Sequence, residues 1–251
     1  MELVLLTALG VGGATVIGAL IGFCFRTISH KFSDIVLSFA AGVMLAAAVL
    51  GLIVPSVEYG GRFGLLITVA GIFVGAVFLN VIDRLVPHLH RFVGADIEPH
   101  RQTQLSRVLL FVMAIAIHNL PEGIAAGVGF GMDDPTQGLL IAGGIALQNI
   151  PEGMVIIAPM LAAGVSPSKT FLLAAATGVI EVVGTLIGYF AVSVASAVLP
   201  FALAFAGGTM LYVISDEMIP ETHAHGGERG ATYALLVGFC VMLVSDVLLG
   251  G

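Results

Sequence analysis

The sequence predicts an all-α integral membrane protein: eight transmembrane helices with inverted pseudo-symmetry, forming one domain over residues 1–251. Three observations predict it. The chain is 58% hydrophobic and only 10% charged, against roughly 25% charged residues in a soluble domain. Its apolar runs are each long enough for the roughly 30 Å hydrocarbon core, and their polar and apolar residues do not alternate as in a transmembrane barrel. The positive residues fall almost entirely on one side of the resulting topology.

The spans follow in order. No Asp, Glu, Lys, Arg or His interrupts Leu3 to Phe25, Ile35 to Val57, or Phe63 to Ile82. Further spans run over about 107–131, 138–162, 170–197, 200–219 and 231–249. The first is not a cleavable signal, because Glu2 replaces a basic leader and the apolar run is too long. Cys24 and Cys240 lie within spans and imply neither a disulfide framework nor a thiolate cluster. With the N-terminus outside, the cytoplasmic segments carry Arg26, Lys31, Arg84, Arg91, Arg101, Arg107, Lys169 and Arg229, and only Arg62 falls outside. That is a strong positive-inside bias. It puts both termini on the extracellular side of a plasma (cell) membrane, together with the acidic turn Asp133-Asp134. The longest connection, about 83–106, is a polar cytoplasmic loop carrying His88, His90 and His100. All other connections are short, so sequential helices are expected to be antiparallel neighbours.

Two internal similarities suggest the symmetry. His118-Asn119-Leu120-Pro121-Glu122-Gly123 returns 30 residues later as Gln148-Asn149-Ile150-Pro151-Glu152-Gly153. Phe39-Ala40-Ala41-Gly42-Val43-Met44-Leu45 resembles Phe205-Ala206-Gly207-Gly208-Thr209-Met210-Leu211, with Pro55 and Pro220 following. Both pairs run in opposite directions in the assigned topology, as in transporters built from inverted repeats. Glycines at spacing four (Gly18 and Gly22, Gly71 and Gly75, Gly184 and Gly188) suit close helix packing.

The doubled phrase carries the chemistry. Counted at 1.5 Å per residue from the charged or polar residue bounding each span, Met44, His118, Glu122, Glu152 and Glu181 all lie near mid-bilayer. Three mid-bilayer glutamates cost on the order of 8–10 kcal/mol without a compensating partner. Apart from the weakly basic His118, no cationic side chain is expected at that depth. A bound cation, or protonation, must compensate. His118 and Glu122 share one helix face at i and i+4, as do Gln148 and Glu152. Asn119 and Asn149 lie about 100° round, within reach of the same cation. Pro121 and Pro151 free the carbonyls of Ile117 and Leu147, which is expected to open both helices locally around a polar cavity. A pair of structural proline kinks is the bland alternative, and the glutamates on the same turns argue against it. The mixed nitrogen and oxygen donors, with a Met44 thioether, suit a divalent transition metal. Zinc leads, with cadmium, iron and manganese behind it.

These phrases, with Asp216-Glu217-Met218-Ile219-Pro220-Glu221-Thr222-His223, resemble the ZIP (Zrt-/Irt-like) metal transporters and their GufA-like branch over the whole chain. The resemblance implies two adjacent metals bridged by Glu122 and Glu152, at the midplane between helices 2, 4, 5 and 6. Met44, His118 and Gln148 would complete one position. Asn119, Asn149 and Glu181 would complete the other, where Asn149 stands in place of an aspartate found in some members. His223 and His225, near Asp216, Glu217 and Glu221 at the cytoplasmic end of the seventh span, would receive metal leaving the path, or simply end a helix in solvent. Glu58 and the Asp133-Asp134 pair would draw cations to the outer mouth, or form solvated turns; Asp246 marks the outer interface.

The expected function is therefore transport of divalent metal toward the cytoplasm. The partners are metal ions and the lipid bilayer, with a homodimer as one open assembly and no nucleic acid. No resident cofactor is expected, and no G-x-x-x-x-G-K-[ST] phrase occurs. An intramembrane zinc hydrolase would need a second imidazole near its metal, as in H-E-x-x-H, and the spans offer only His118. A metal-binding membrane scaffold is the other alternative.

Overall fold

The computed structural model describes residues 1–25, 29–93 and 99–249, with side chains except at 86–111 and 114. Eight long helices account for most of it. Helix α1 is Glu2–Cys24. Helix α2 runs from His30 to Tyr59 as three continuous segments, α-helical His30–Ala46, a π-helical stretch Ala47–Ile53, and Val54–Tyr59. Next come α3, Gly64–Val93, α4, Pro99–Gly129, α5, Pro135–Ala162, and α6, Pro167–Val194. Helix α7 joins Leu199–Val213, a π-helical Ile214–Met218 and Ile219–His223, and α8 is Glu228–Leu249. On their described residues, seven are long and apolar enough to cross a membrane; α4 is the eighth long helix.

Helix covers most of the segment the sequence assigns to a polar loop, because α3 continues to Val93 and α4 opens at Pro99. The expectations for Arg26, His88, His90, Arg91, His100, Arg101 and Arg107 lie outside the described side chains. At the opposite end of α4, Asp134 caps α5 by accepting from Thr136 N–H at 2.8 Å. That bond holds the exposed carboxyl below its ordinary range.

Of the consecutive helices, α4 and α5 pack along each other as expected, while the other main pairings join helices distant in sequence. Helix α1 packs along α5 and α6, α4 along α6 and α5, α2 along α8, and α3 along α7. For those the expectation failed because it used loop length alone. Small residues decide the partners, since only a missing Cβ lets two backbones touch. A Cβ at Gly12 would collide with the Gly178 carbonyl, and one at Gly178 with that of Gly12. Gly18 meets Ile150 and Gly22 meets Met154 on α5, while Gly184 meets Leu120 and Gly188 meets Ile124 on α4. The same pattern joins Gly42 to Leu235 and Gly238 to Phe39, then Gly208 to Ile72 and Gly75 to Phe205. The glycines expected to mediate close packing therefore do so.

Neither Pro121 nor Pro151 interrupts its α-helix. The local opening expected there occurs instead in α2 and α7, where a π-helical stretch precedes Pro55 and another precedes Pro220. A proline removes one backbone donor, and a wider i→i+5 turn is one way to accommodate the fault within a continuous helix.

A buried apolar cluster including Val11, Ala47, Leu52, Ala125, Val128, Ile141 and Ile145 packs the bundle toward the α4–α5 turn and continues through Met44, Met210 and Val213 toward the other end. Helices α3 and α8 expose Leu65, Leu66, Phe73, Val77, Tyr233, Val247 and Leu248 outward. So much exposed apolar surface suits lipid rather than water.

Candidate metal site

Helix α4 supplies His118, Asn119 and Glu122, α5 supplies Gln148, Asn149 and Glu152, and α6 supplies Glu181. All seven are buried, Glu181 and Gln148 completely. Backbone contact between the helices brings them together: a Cβ at Gly123, next to Glu122, would collide with the carbonyl of Glu181, and one at Gly153, next to Glu152, with that of Thr15. The glycine of each repeated phrase thus seats its glutamate's turn against a helix that the sequence pattern alone does not identify.

Hydrogen bonding is incomplete throughout the cluster. Both oxygens of Glu122, both polar atoms of Asn119 and of Gln148, Oδ1 of Asn149 and Oε1 of Glu181 have no partner. Two bonds steady the set from behind. Thr15 Oγ1 donates to Glu181 Oε2 at 3.0 Å, and Asn149 Nδ2 donates to the Val11 carbonyl at 3.2 Å. Buried polar groups are normally paired, and among the described residues no lysine or arginine is buried. Carboxylate, amide and imidazole donors left open in this way fit a cation.

A cavity of about 470 Å³ reaches this cluster. His118, Glu122 and Glu152 line its inner end, followed by Ile115, Leu37, Asp216, Glu217, Pro220 and Glu221 toward the end of α7. Asn119, Gln148, Asn149 and Glu181 lie behind the lining. Met44 has no exposed surface and packs in the apolar cluster with Val43 and Ala47. It is not among the residues that line the cavity.

Sequence reasoning missed three contributors. His118 Nε2 lies 2.8 Å from Glu217 Oε1, and Asp83 joins them, with one ligand atom from each residue falling within 4.8 Å of the others. The sequence places Asp83 in a loop and Glu217 at a helix end, beside the His223 and His225 expected to receive metal. The helical continuation of α3 and the π turn of α7 bring both inward. Thr15 is the third; only its depth, matching that of Glu181, could have signalled it. His223 uses both ring nitrogens structurally, Nδ1 with the Ile219 carbonyl at 2.9 Å and Nε2 with Thr232 Oγ1 at 3.2 Å, which ties α7 to α8. Glu58 and Asp246 lie in α2 and α8, away from this cluster.

Comparison with known proteins identifies the family. The ZIP Zinc transporter family model matches residues 93–246. The chain is 42% identical to "Zinc transporter GufA" of Myxococcus xanthus, covering 98% of both chains. It is 36% identical to "Zinc transporter ZIPB" of Bordetella bronchiseptica, over 94% of this chain and 78% of that one. It is 30% identical to human "Zinc transporter ZIP11", over 95% of this chain and 94% of that one. The match runs through α4, α5 and α6, the helices that carry the seven polar residues, and the chain belongs to the ZIP family of zinc transporters.

Proposed function

We propose that this protein carries divalent transition metal, zinc foremost, across the membrane toward the cytoplasm through the buried site between α4, α5 and α6. The observation that carries the reading is the set of three buried glutamates from three helices, two of them (Glu122 and Glu181) with unpartnered oxygens, beside a cavity that opens at one end. Membership in a family whose relatives are named zinc transporters supports the cargo. The same membership favours a transporter over the hydrolase reading.

Two metal positions sharing Glu122 and Glu152 account for the open donors. His118 and Gln148, with Met44 as a thioether from α2, complete one; Asn119, Asn149 and Glu181 complete the other. Imidazole and thioether favour zinc and cadmium over harder ions, while the oxygen-rich second position also tolerates iron and manganese. The structure is open toward the α7 end, and apolar side chains close the opposite half. With the positive residues inside, the open end is cytoplasmic and both termini face out from the plasma membrane. Asp83, His118 and Glu217 form the first step out of the site. Alternating access between this state and an outward-open one moves the ion, without ATP.

An inverted repeat relating α1–α3 to α6–α8, and α4 to α5, explains the packing. Gly42 on Leu235 and Gly208 on Ile72 are equivalent contacts, as are Gly238 on Phe39 and Gly75 on Phe205. The mutual contact of Gly12 with Gly178 lies on the pseudo-axis. A homodimer is compatible with the lipid-exposed faces.

The test is radioactive zinc uptake into sealed vesicles of known orientation. Wild-type protein should accumulate zinc, and Glu122→Ala protein of equal expression and monodispersity should not. Normal flux in that variant would overturn the shared site. Zinc bound without flux in the wild type would favour the scaffold reading. Competition by cadmium, iron and manganese ranks the cargo.

A further inference from the structure

At the open end of the bundle, outside the midplane cluster, three side chains from two segments converge. Asp34 lies in the second turn of α2 and is 3% exposed, yet its Oδ2 has no hydrogen-bond partner. Its Oδ1 lies 3.2 Å from Nδ1 of His225, in the connection between α7 and α8. The His225 ring stacks on that of His30, with centroids 4.9 Å apart and planes at 24°. His30 precedes Asp34 by four residues, so both project from one face of α2.

The connection is shaped to hold His225 there. Gly226 has φ +78°, a left-handed conformation that glycine alone adopts without strain, and it turns the chain back into α8 at Glu228. Gly227 follows, and a Cβ added to it would lie 4.0 Å from Asp34 Oδ2. Lys31 passes the same place through its Cγ, but no ion pair joins it to Asp34 among the described contacts.

We infer that His30, Asp34 and His225 form a second divalent transition-metal site, at the mouth of the cavity and separate from the midplane donors. Two imidazoles and one carboxylate are a zinc-type donor set, too rich in nitrogen for calcium or magnesium. Nδ1 of His225 and Oδ1 of Asp34 lie 3.2 Å apart, the spacing of two ligands that each reach one zinc ion at roughly 2.0–2.2 Å. The ion would take the place of the proton between them. His30 is exposed, so its ring can swing from stacking to ligation, a rotamer change that exposed side chains make in picoseconds to nanoseconds. The site adjoins the path: Leu37, three residues after Asp34, and Glu221, four before His225, both line the cavity. Metal bound here would brace the start of α2 against the turn before α8.

Zinc binding to the purified full-length protein in lipid nanodiscs tests this. Equilibrium dialysis against Zn2+ counts bound equivalents, and X-ray absorption of the zinc-loaded protein counts imidazole ligands. His30→Ala/His225→Ala, changing two exposed side chains, should lose one zinc equivalent and lower the imidazole count. Asp34→Asn should weaken the same equivalent at least tenfold. Unchanged stoichiometry and imidazole count in the double variant would overturn the proposal. A Glu122→Ala/Glu152→Ala protein separates the two readings, since it should lose different zinc and keep the His225-dependent equivalent. If it binds zinc like the wild type while the histidine variant does not, the midplane reading fails and this one stands.

Discussion

Thr15 donates from Oγ1 to Oε2 of Glu181 at 3.0 Å and leaves the other carboxylate oxygen, Oε1, without a partner. One oxygen of a fully buried acid is thus anchored from α1 while the other stays free for a ligand. The two residues are separated by 166 positions, the same offset that relates Phe39 to Phe205 and Gly42 to Gly208. In the proposed repeat, Thr15 is the residue equivalent to Glu181.

The first prediction concerns that anchor. Thr15→Val keeps the side-chain volume but removes the donor, so the Glu181 carboxylate loses its orientation. A hydrogen bond to a charged group contributes about 1.5–3 kcal/mol. Apparent zinc affinity should therefore fall roughly tenfold or more, on the same principle, and Thr15→Ser should restore most of it. Concentration-dependent uptake in vesicles measures this. Equal affinity in the valine and threonine proteins would show that Glu181 needs no anchor.

Asn149 makes the second prediction. Its Nδ2 donates to the Val11 carbonyl while Oδ1 is free. Asn149→Asp adds a charge that a second metal would welcome, but it also sets a carboxylate oxygen against the Val11 carbonyl oxygen. Metal occupancy at the second position should rise, and the metal-free protein should lose on the order of 1–3 kcal/mol of stability, the range for an unsatisfied buried polar group. Added zinc should then raise the melting temperature more in the variant than in the wild type. A zinc-dependent shift of equal size in both would argue against a second position near Asn149.

Third, the glycines of the repeated phrase should tolerate no side chain. A Cβ at Gly123 meets the Glu181 backbone and one at Gly153 meets the Thr15 backbone, whereas a Cβ at Gly143 meets nothing within 4 Å. Gly123→Ala and Gly153→Ala must push helix axes apart, an overpacking penalty of about 1–3 kcal/mol or more. Gly143→Ala should be neutral or slightly stabilising, since alanine is the better helix former. Thermal melts in detergent distinguish the three. Equal melting temperatures would show that α4–α6 and α1–α5 do not meet at these residues.

These positions also show what the sequence could and could not convey. The depth count finds Glu122, Glu152 and Glu181 because an intramembrane acid is rare enough to be informative on its own. It finds His118, Asn119, Gln148 and Asn149 because they share helix turns with those acids. It cannot find Thr15, whose hydroxyl is unremarkable in an apolar helix until its partner is known. It misplaces Asp83 and Glu217, since a charge near the end of an apolar run reads as a boundary whether or not the helix continues. Partner choice among the helices was legible only afterwards. The glycines were visible, but which carbonyl each one meets depends on three-dimensional register. The prolines misled because their sequence effect is local, while the π turns before Pro55 and Pro220 depend on how a long helix accommodates the missing bond.

The last prediction fixes the sidedness on which the direction of transport rests. Asp133 lies in the exposed α4–α5 turn and Glu228 at the exposed start of α8, and the charge distribution puts them on opposite sides of the membrane. In a background with Cys24→Ser and Cys240→Ser, Asp133→Cys should react with an impermeant maleimide added outside intact cells. Glu228→Cys should react only after the membrane is opened. The cavity mouth, lined by Glu221, shares the side of Glu228, so this pattern makes the observed opening cytoplasmic. The reverse pattern would turn the same cavity into an entrance from outside. Labelling of both sites in intact cells would rule out a single orientation. Only the first outcome lets an ion that leaves Glu122 and Glu152 through this cavity arrive inside the cell.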